Sequence, residues 1–284
     1  MAAGGTVSSA DQTLRRVVEW GQAEAEVRRV VLVGSRVRVP AVDDLADIDV
    51  QIYCTALARY LDDMSWLSFI GEPVVCVRDR YVDGDVTVIT RLVIFMSGVK
   101  VDFAFYPASA VSAGIGSGLP YATLIDKDAP GGASPGAVHA SPDPQPPLAA
   151  EFARVIEEFW FEAYHIAKYL ARGELLLAKS RHFATRQLLL TMIEWHEQFA
   201  RGRRLAPDSR EHRASMSDDT WHALERTFAS ADRTDTWNAA RKTMELFRKI
   251  AEETAAALRF TYPRDVDCNL SRTIASIAGR AGLS

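Results

Sequence analysis

Cysteine is scarce in this chain, positive charge is not in excess, and no apolar run is long. Only three cysteines occur in 284 residues, Cys54, Cys76 and Cys268, an odd number without metal-ligand spacing. That excludes a disulfide framework and predicts reduced, partly buried thiols, as in a cytoplasmic protein. The histidines (His139, His165, His182, His196, His212 and His222) form no H-E-x-x-H pattern, so no zinc site is read. A formal charge of −4 leaves no basic stripe for the phosphates of a nucleic acid. No run reaches the roughly 20 apolar residues that cross a bilayer. Met1–Ser9 has neither the basic nor the apolar region of a signal peptide, so none is expected. These absences predict a soluble, cytoplasmic chain with no nucleic-acid and no membrane partner. A monomer or weak homodimer is expected. With 48% apolar and 25% charged residues, the composition is that of an ordinary globular protein, long enough for two domains.

What is present centres on Val30-Val31-Leu32-Val33-Gly34-Ser35-Arg36 and, after a polar loop, Asp47-Ile48-Asp49-Val50. In a strand, alternate side chains share a face, so Asp47 and Asp49 fall together with Ile48 buried behind them. Two like charges so placed repel unless a cation sits between them. Gly34 allows close approach of a ligand to the backbone, and Ser35 offers a hydroxyl and an amide to a phosphate oxygen. The combination predicts a metal–nucleotide site.

Along the chain, Ser9-Ala10-Asp11-Gln12 has the form of a capping box that opens a first helix. Strands are expected over 30–33 and 47–53, with a turn or short helix over 34–46. One helix is expected over 57–69, ended by Gly71-Glu72-Pro73. Strands over 74–77, 86–95 and 99–106 follow, turned at Asp83-Gly84-Asp85 and Ser97-Gly98. The last contains a single carboxylate, Asp102. A mixed sheet with two packed helices accounts for residues 9–107, and 121–128 is expected to pack as an ordered patch. Eight of the twelve prolines lie from Pro107 to Pro147. The segment 129–147 is therefore read as a linker, mobile through its middle, between domains 1–128 and 148–284. The second domain carries helical periodicity over 151–172, 175–200, a shorter helix capped by Ser217, 234–258 and 266–277. Trp160, Phe161, Tyr164 and Trp195 are read as core rather than binding box.

Gly34-Ser35, then Asp47-Ile48-Asp49, then Asp102 on a later strand resembles the polymerase-β-like nucleotidyltransferase superfamily. The sequence is more particularly similar to the aminoglycoside 6-adenylyltransferases. That likeness rests on Val33-Gly34-Ser35-Arg36, Leu124-Ile125-Asp126-Lys127-Asp128, Glu158-Phe159-Trp160 followed by Ala167-Lys168, Leu246-Phe247-Arg248-Lys249-Ile250-Ala251, and Phe260-Thr261-Tyr262-Pro263. It spans both domains. Met96-Ser97-Gly98 stands where the family tends to have Glu-Asp-Gly, and the segments 129–147 and 201–217 also depart from the family pattern.

The resemblance implies an α+β fold: a nucleotidyltransferase domain of mixed sheet and helices, followed by an all-helical substrate-binding domain. It implies transfer of AMP from ATP to a hydroxyl of an aminoglycoside, streptomycin first, with two Mg²⁺ ions. Asp47, Asp49 and Asp102 are the implied metal ligands, and Asp102 is also a candidate for taking the acceptor's proton. Gly34 and Ser35 are the implied phosphate grip. Arg36 either reaches the triphosphate or faces solvent. Lys168 is implied to touch the triphosphate across the interdomain cleft. Glu158, ten residues earlier and close to three helical turns away, is expected on nearly the same face; it either orients or deprotonates the acceptor or is a surface glutamate. Glu157, Glu162, Glu194 and Glu197 make these helices locally acidic, which suits a polycationic acceptor. Two alternatives remain open: the same chemistry on another antibiotic, a metabolite or a protein hydroxyl, and a nucleotide-binding module without catalysis.

Overall fold

The computed structural model describes residues 8–37, 45–113, 119–129, 138–139, 143–203, 213 and 216–283. The chain forms two compact units, Met1–Asp143 and Pro144–Ser284. Its class is α+β.

The first unit is built on a seven-stranded mixed sheet in the order β3-β4-β5-β2-β1-β6-β7. The strands are β1 (Val27–Val33), β2 (Ile48–Cys54), β3 (Pro73–Asp83), β4 (Val86–Phe95), β5 (Lys100–Pro107), β6 (Tyr121–Asp126) and β7 (Val138–His139). Strands β2 and β5 run parallel, and the other neighbours are antiparallel. The period-2 alternation divides the central strands cleanly. Ile48, Val50 and Ile52 of β2 and Val101, Phe103 and Phe105 of β5 face a core with Val17 and Trp20 of α1 (Ser9–Ala23). The same core takes Tyr60 and Leu61 of α2 (Leu57–Asp62) and Leu67 and Ile70 of α3 (Leu67–Ile70). The intervening residues of β2 and β5 point to the opposite face, where Tyr53 and Tyr106 stack at 5.0 Å beside Val31, Val33 and Val88.

Several elements differ from expectation. The cap of α1 is Ser8, whose Oγ accepts from Asp11 N at 3.1 Å, one residue before the expected box. The single helix expected over 57–69 is two. Asp63 is extended, and its carboxylate accepts from the amide and hydroxyl of Ser65 at 2.8 and 2.7 Å, so a local turn replaces the helical ladder there. The break lets Trp66 stack on Trp20 at 4.7 Å. Strand β3 runs through Asp83, beyond the expected 77, and closes on β4 at Gly84 with φ of 56°. The ordered patch over 121–128 contains β6, paired with β1. Much of the turn expected over 34–46 and of the linker over 129–147 lies outside the described residues; Val138 and His139 pair with Ala122 and Tyr121. All three cysteines are free, and Cys76 and Cys268 are exposed rather than partly buried.

The second unit is helical: α4 (Ala149–Ala171), α5 (Leu175–Trp195) continuing into a π-turn (His196–Ala200), α6 (Asp218–Glu225), α7 (Arg233–Leu258) and α8 (Arg264–Arg280). Its own core gathers Phe152, Phe159, Trp160, Leu189, Met192, Phe247 and Ile250, with Phe159 and Phe247 stacked at 3.6 Å. Trp160 is buried as expected, whereas Phe161 is exposed and edges the His165 ring. Among the described residues, no helix is long and apolar enough to cross a membrane.

Candidate active site

Strand β1 ends at Val33, which is in register with Asp49 of β2, and Asp49 is in register with Asp102 of β5. Three adjacent strands thus bring Gly34, Asp49 and Asp102 to one rim of the sheet. Gly34 has φ of 81°, a left-handed conformation that favours glycine. A Cβ there would sit 3.2 Å from Asp49 Oδ2, so the bare backbone is what admits that carboxylate. The Gly34 amide donates to Pro120 O at 2.8 Å, anchoring the turn. Ser35 opens a one-turn 3₁₀ helix (Ser35–Val37) and is buried.

Asp47 lies one residue ahead of β2, and Ile48 is fully buried behind the Asp47–Asp49 pair. Between Asp47 and Asp102 stands a residue that sequence reasoning passed over. Lys100 Nζ donates to Asp47 Oδ2 and to Asp102 Oδ2, each at 2.8 Å. Partial burial alone would lower the Lys100 pKa, but the two carboxylate hydrogen bonds outweigh it and hold the pKa above the ordinary lysine value. The signal for Lys100 was in the sequence. It precedes Asp102 by two residues on one strand, and the period of two puts both side chains on one face. The other oxygen, Asp102 Oδ1, is buried and has no hydrogen-bond partner.

Among the described residues, no three His, Cys, Asp or Glu side chains form a ready metal cluster. The chemistry of the donor set nevertheless fits a hard divalent cation: carboxylate oxygens already converged on a cation, plus one orphaned buried oxygen.

Arg36 neither reaches out nor faces solvent. Its side chain is 9% exposed, donates from Nε to Ala46 O at 3.0 Å and lies 4.0 Å from Asp11 Oδ1. It ties the Ser35–Val37 turn to Ala46, just ahead of Asp47. Glu158 and Lys168 belong to α4 of the second unit. Glu158 is exposed and pairs with Arg154 at 2.7 Å, one turn earlier; Lys168 is partly buried near the helix end. At about 100° per residue, their spacing leaves them roughly 80° apart around the axis, on adjoining flanks rather than nearly one face. Of the acidic residues, Glu162 pairs with Arg181 at 3.3 Å, and the fully buried Glu197 lies 3.5 Å from Arg203.

The remaining motifs build structure. In Leu124–Asp128, Asp126 and Asp128 pair with Arg29 and Arg28, and Lys127 Nζ donates to Gly21 O and Glu24 O at 2.8 and 2.6 Å, tying β6 to the end of α1. In the second unit, Arg248 grips buried Asp267 through two bonds of 2.6 and 2.7 Å, while Tyr262 Oη donates to Asp267 Oδ2 at 2.8 Å. The Arg248 guanidinium also lies 5.0 Å from the Trp160 ring centre.

The chain is similar to the aminoglycoside 6-adenylyltransferase of Bacillus subtilis (strain 168), 23% identical over 258 residues, covering 84% of this chain and 88% of that protein. It is 24% identical over 268 residues to the aminoglycoside 6-adenylyltransferase of Staphylococcus aureus, covering 89% and 93%. A crystal structure of an aminoglycoside 6-adenyltransferase from Bacillus subtilis aligns over 95% of this chain and 99% of its own, at 20% identity and a TM-score of 0.46. The family model for streptomycin adenylyltransferase matches residues 7–277. The chain therefore belongs to the streptomycin adenylyltransferase family, a family of nucleotidyltransferases.

Proposed function

We propose that this protein transfers the AMP of ATP to a hydroxyl of an aminoglycoside, streptomycin first among acceptors, in a Mg²⁺-dependent reaction that releases pyrophosphate. The observation that supports it most is the rim itself: Gly34, Asp49 and Asp102 on neighbouring strands, with Asp47 and Asp102 converged on one cation. The names of the two relatives support the acceptor class.

Asp47, Asp49 and Asp102 would hold two Mg²⁺ ions, whose charge offsets that of the triphosphate and of the departing pyrophosphate. The chain's own groups do the rest. The amide and hydroxyl of Ser35, on the turn that Gly34 permits, hold phosphate oxygens. The acceptor oxygen bonds to the α-phosphorus, the bond to the β-phosphate oxygen breaks, and Asp102 receives the acceptor's proton. Lys168 adds a point charge against the triphosphate, and Glu158 orients the acceptor. Dependence on ATP makes the cytoplasm the place of action.

A pyrophosphate-release screen over streptomycin, other aminoglycosides and lincosamides tests the proposal. Release is expected with ATP, Mg²⁺ and streptomycin together, and with no pair of them. Absence of release with every acceptor, under conditions where ATP binds, overturns it.

A further inference from the structure

We propose that the Lys100 ammonium is a resident counter-ion of the carboxylate rim, holding Asp47 and Asp102 together in the metal-free protein and giving way when a divalent cation binds. The inference rests on the proposed function, because it concerns the carboxylates assigned there to metal.

The argument is one of charge and reach. Asp47 and Asp102 come from different segments, the approach to β2 and the start of β5, and their Oδ2 atoms each lie 2.8 Å from the same Nζ. Without a cation between them, two carboxylates so close repel and either swing apart or take up a proton. One ammonium neutralises only one of the two charges, so a net negative charge remains to attract a divalent ion. Lysine suits an exchangeable plug. It is a compact charge on a flexible four-carbon stem, without the planar fork that would lock an arginine onto carboxylates. The Lys100 side chain is 35% exposed, so the ammonium has a route to water when displaced. Asp102 Oδ1, buried and unpartnered, is an oxygen the ammonium leaves unsatisfied. A divalent ion with several ligand positions can take both oxygens of the pair and more. Lys100 is therefore a positioning residue. It keeps the ligand oxygens converged, and it competes with metal for them.

The test is Mn²⁺ binding to the full chain, followed by titration calorimetry and by the paramagnetic signal of free Mn²⁺, with thermal melts in parallel. Lys100→Met removes the competing charge at similar length. It is expected to bind Mn²⁺ about five- to tenfold more tightly than wild type, while its metal-free form melts at lower temperature and recovers with saturating Mn²⁺. Unchanged or weaker Mn²⁺ binding in Lys100→Met overturns the inference, as does an unchanged metal-free melting temperature. If the methionine variant does not fold, Lys100→Gln, which retains a hydrogen-bond donor without charge, carries the same expectation. Asp102→Asn separates this failure from that of the proposed function. If wild type binds Mn²⁺ and Asp102→Asn does not, but Lys100→Met matches wild type, only the counter-ion reading falls. If wild type and Asp102→Asn bind Mn²⁺ equally or not at all, the metal assignment falls and takes the counter-ion with it.

Discussion

Asp49 is the residue on which the rim turns, because it stands in register with both Val33, just ahead of Gly34, and Asp102. Asp49→Ala is expected to lower adenylylation at least about a hundredfold, with far-UV circular dichroism and melting temperature near those of wild type. Turnover within a few-fold of wild type would remove Asp49 from the chemistry. A second residue-scale prediction concerns His182, buried in the helical unit with a ring nitrogen 3.0 Å from Thr243 Oγ1. Burial first, then the charges of Arg186 and Lys179, push its pKa down to about 4 from 6.5. The unfolded chain therefore takes up this proton at a higher pH than the folded one does. Stability fully present above pH 6.5 is lost as pH falls toward about 4, at up to about 1.4 kcal/mol per unit, with no further loss from this group below. His182→Leu should flatten that limb in urea melts between pH 4 and 6.5; an unaltered slope would assign the acid sensitivity elsewhere. At this scale the sequence was legible where residue type and spacing define a role, as for Asp47, Asp49 and Asp102. It was less so where a role depends on a partner from another segment: Lys100 meets Asp102 on its own strand but reaches Asp47 only when β5 lies beside β2, and Arg36 meets Ala46 O ten residues further along the chain.

At the scale of elements, the helical unit is pinned by one ion pair, Arg248 with buried Asp267. Arg248 and Tyr262, from two segments, meet at Asp267 on α8, and the Arg248 guanidinium lies over the Trp160 ring. Burial alone would raise the Asp267 pKa, but bonds from Arg248, Tyr262 and Ser271 hold it below the usual aspartate value. Arg248→Met leaves that buried carboxylate with two neutral donors and no counter-charge. Such a change is expected to cost about 3 kcal/mol of stability, read as a lower urea midpoint with KM for ATP unchanged in the surviving folded enzyme. A midpoint within error of wild type would mean that the guanidinium is dispensable. Periodicity read α4 and α7 to within a few residues, because each buries one apolar stripe over many turns. It failed over 57–69, where Leu57, Leu61, Met64 and Leu67 keep helical spacing but Asp63 offers Ser65 a competing turn. It also stopped β3 short, since Arg78, Asp79 and Arg80 lack the apolar alternation of an inner strand. Strand β3 is an edge strand, exposed along nearly its whole length, and its pairing with β4 rather than burial carries it to Asp83.

At the scale of the whole molecule, the two units have separate hydrophobic cores. One gathers Ile48, Phe103 and Trp20, the other Phe159, Trp160 and Phe247. A unit with its own closed core and capped helices satisfies what independent folding requires. In the second unit, Ser217 and Asp232 accept from the amides of Thr220 and Asp235 at the starts of α6 and α7. The fragment 144–284 expressed alone is therefore expected to be helical by circular dichroism and to melt in one cooperative transition. A broad melt with strong dye binding would instead make its packing depend on the first unit. The chemistry should divide differently from the folding. The carboxylate rim belongs wholly to the first unit, whereas Lys168, the charge proposed for the triphosphate, belongs to the second. Lys168→Ala in the full chain is accordingly expected to raise the apparent KM for ATP severalfold while leaving the melting temperature alone. The fragment 144–284 should release no pyrophosphate under any condition. An unchanged KM in the variant would confine nucleotide recognition to the first unit and leave the helical unit to the acceptor.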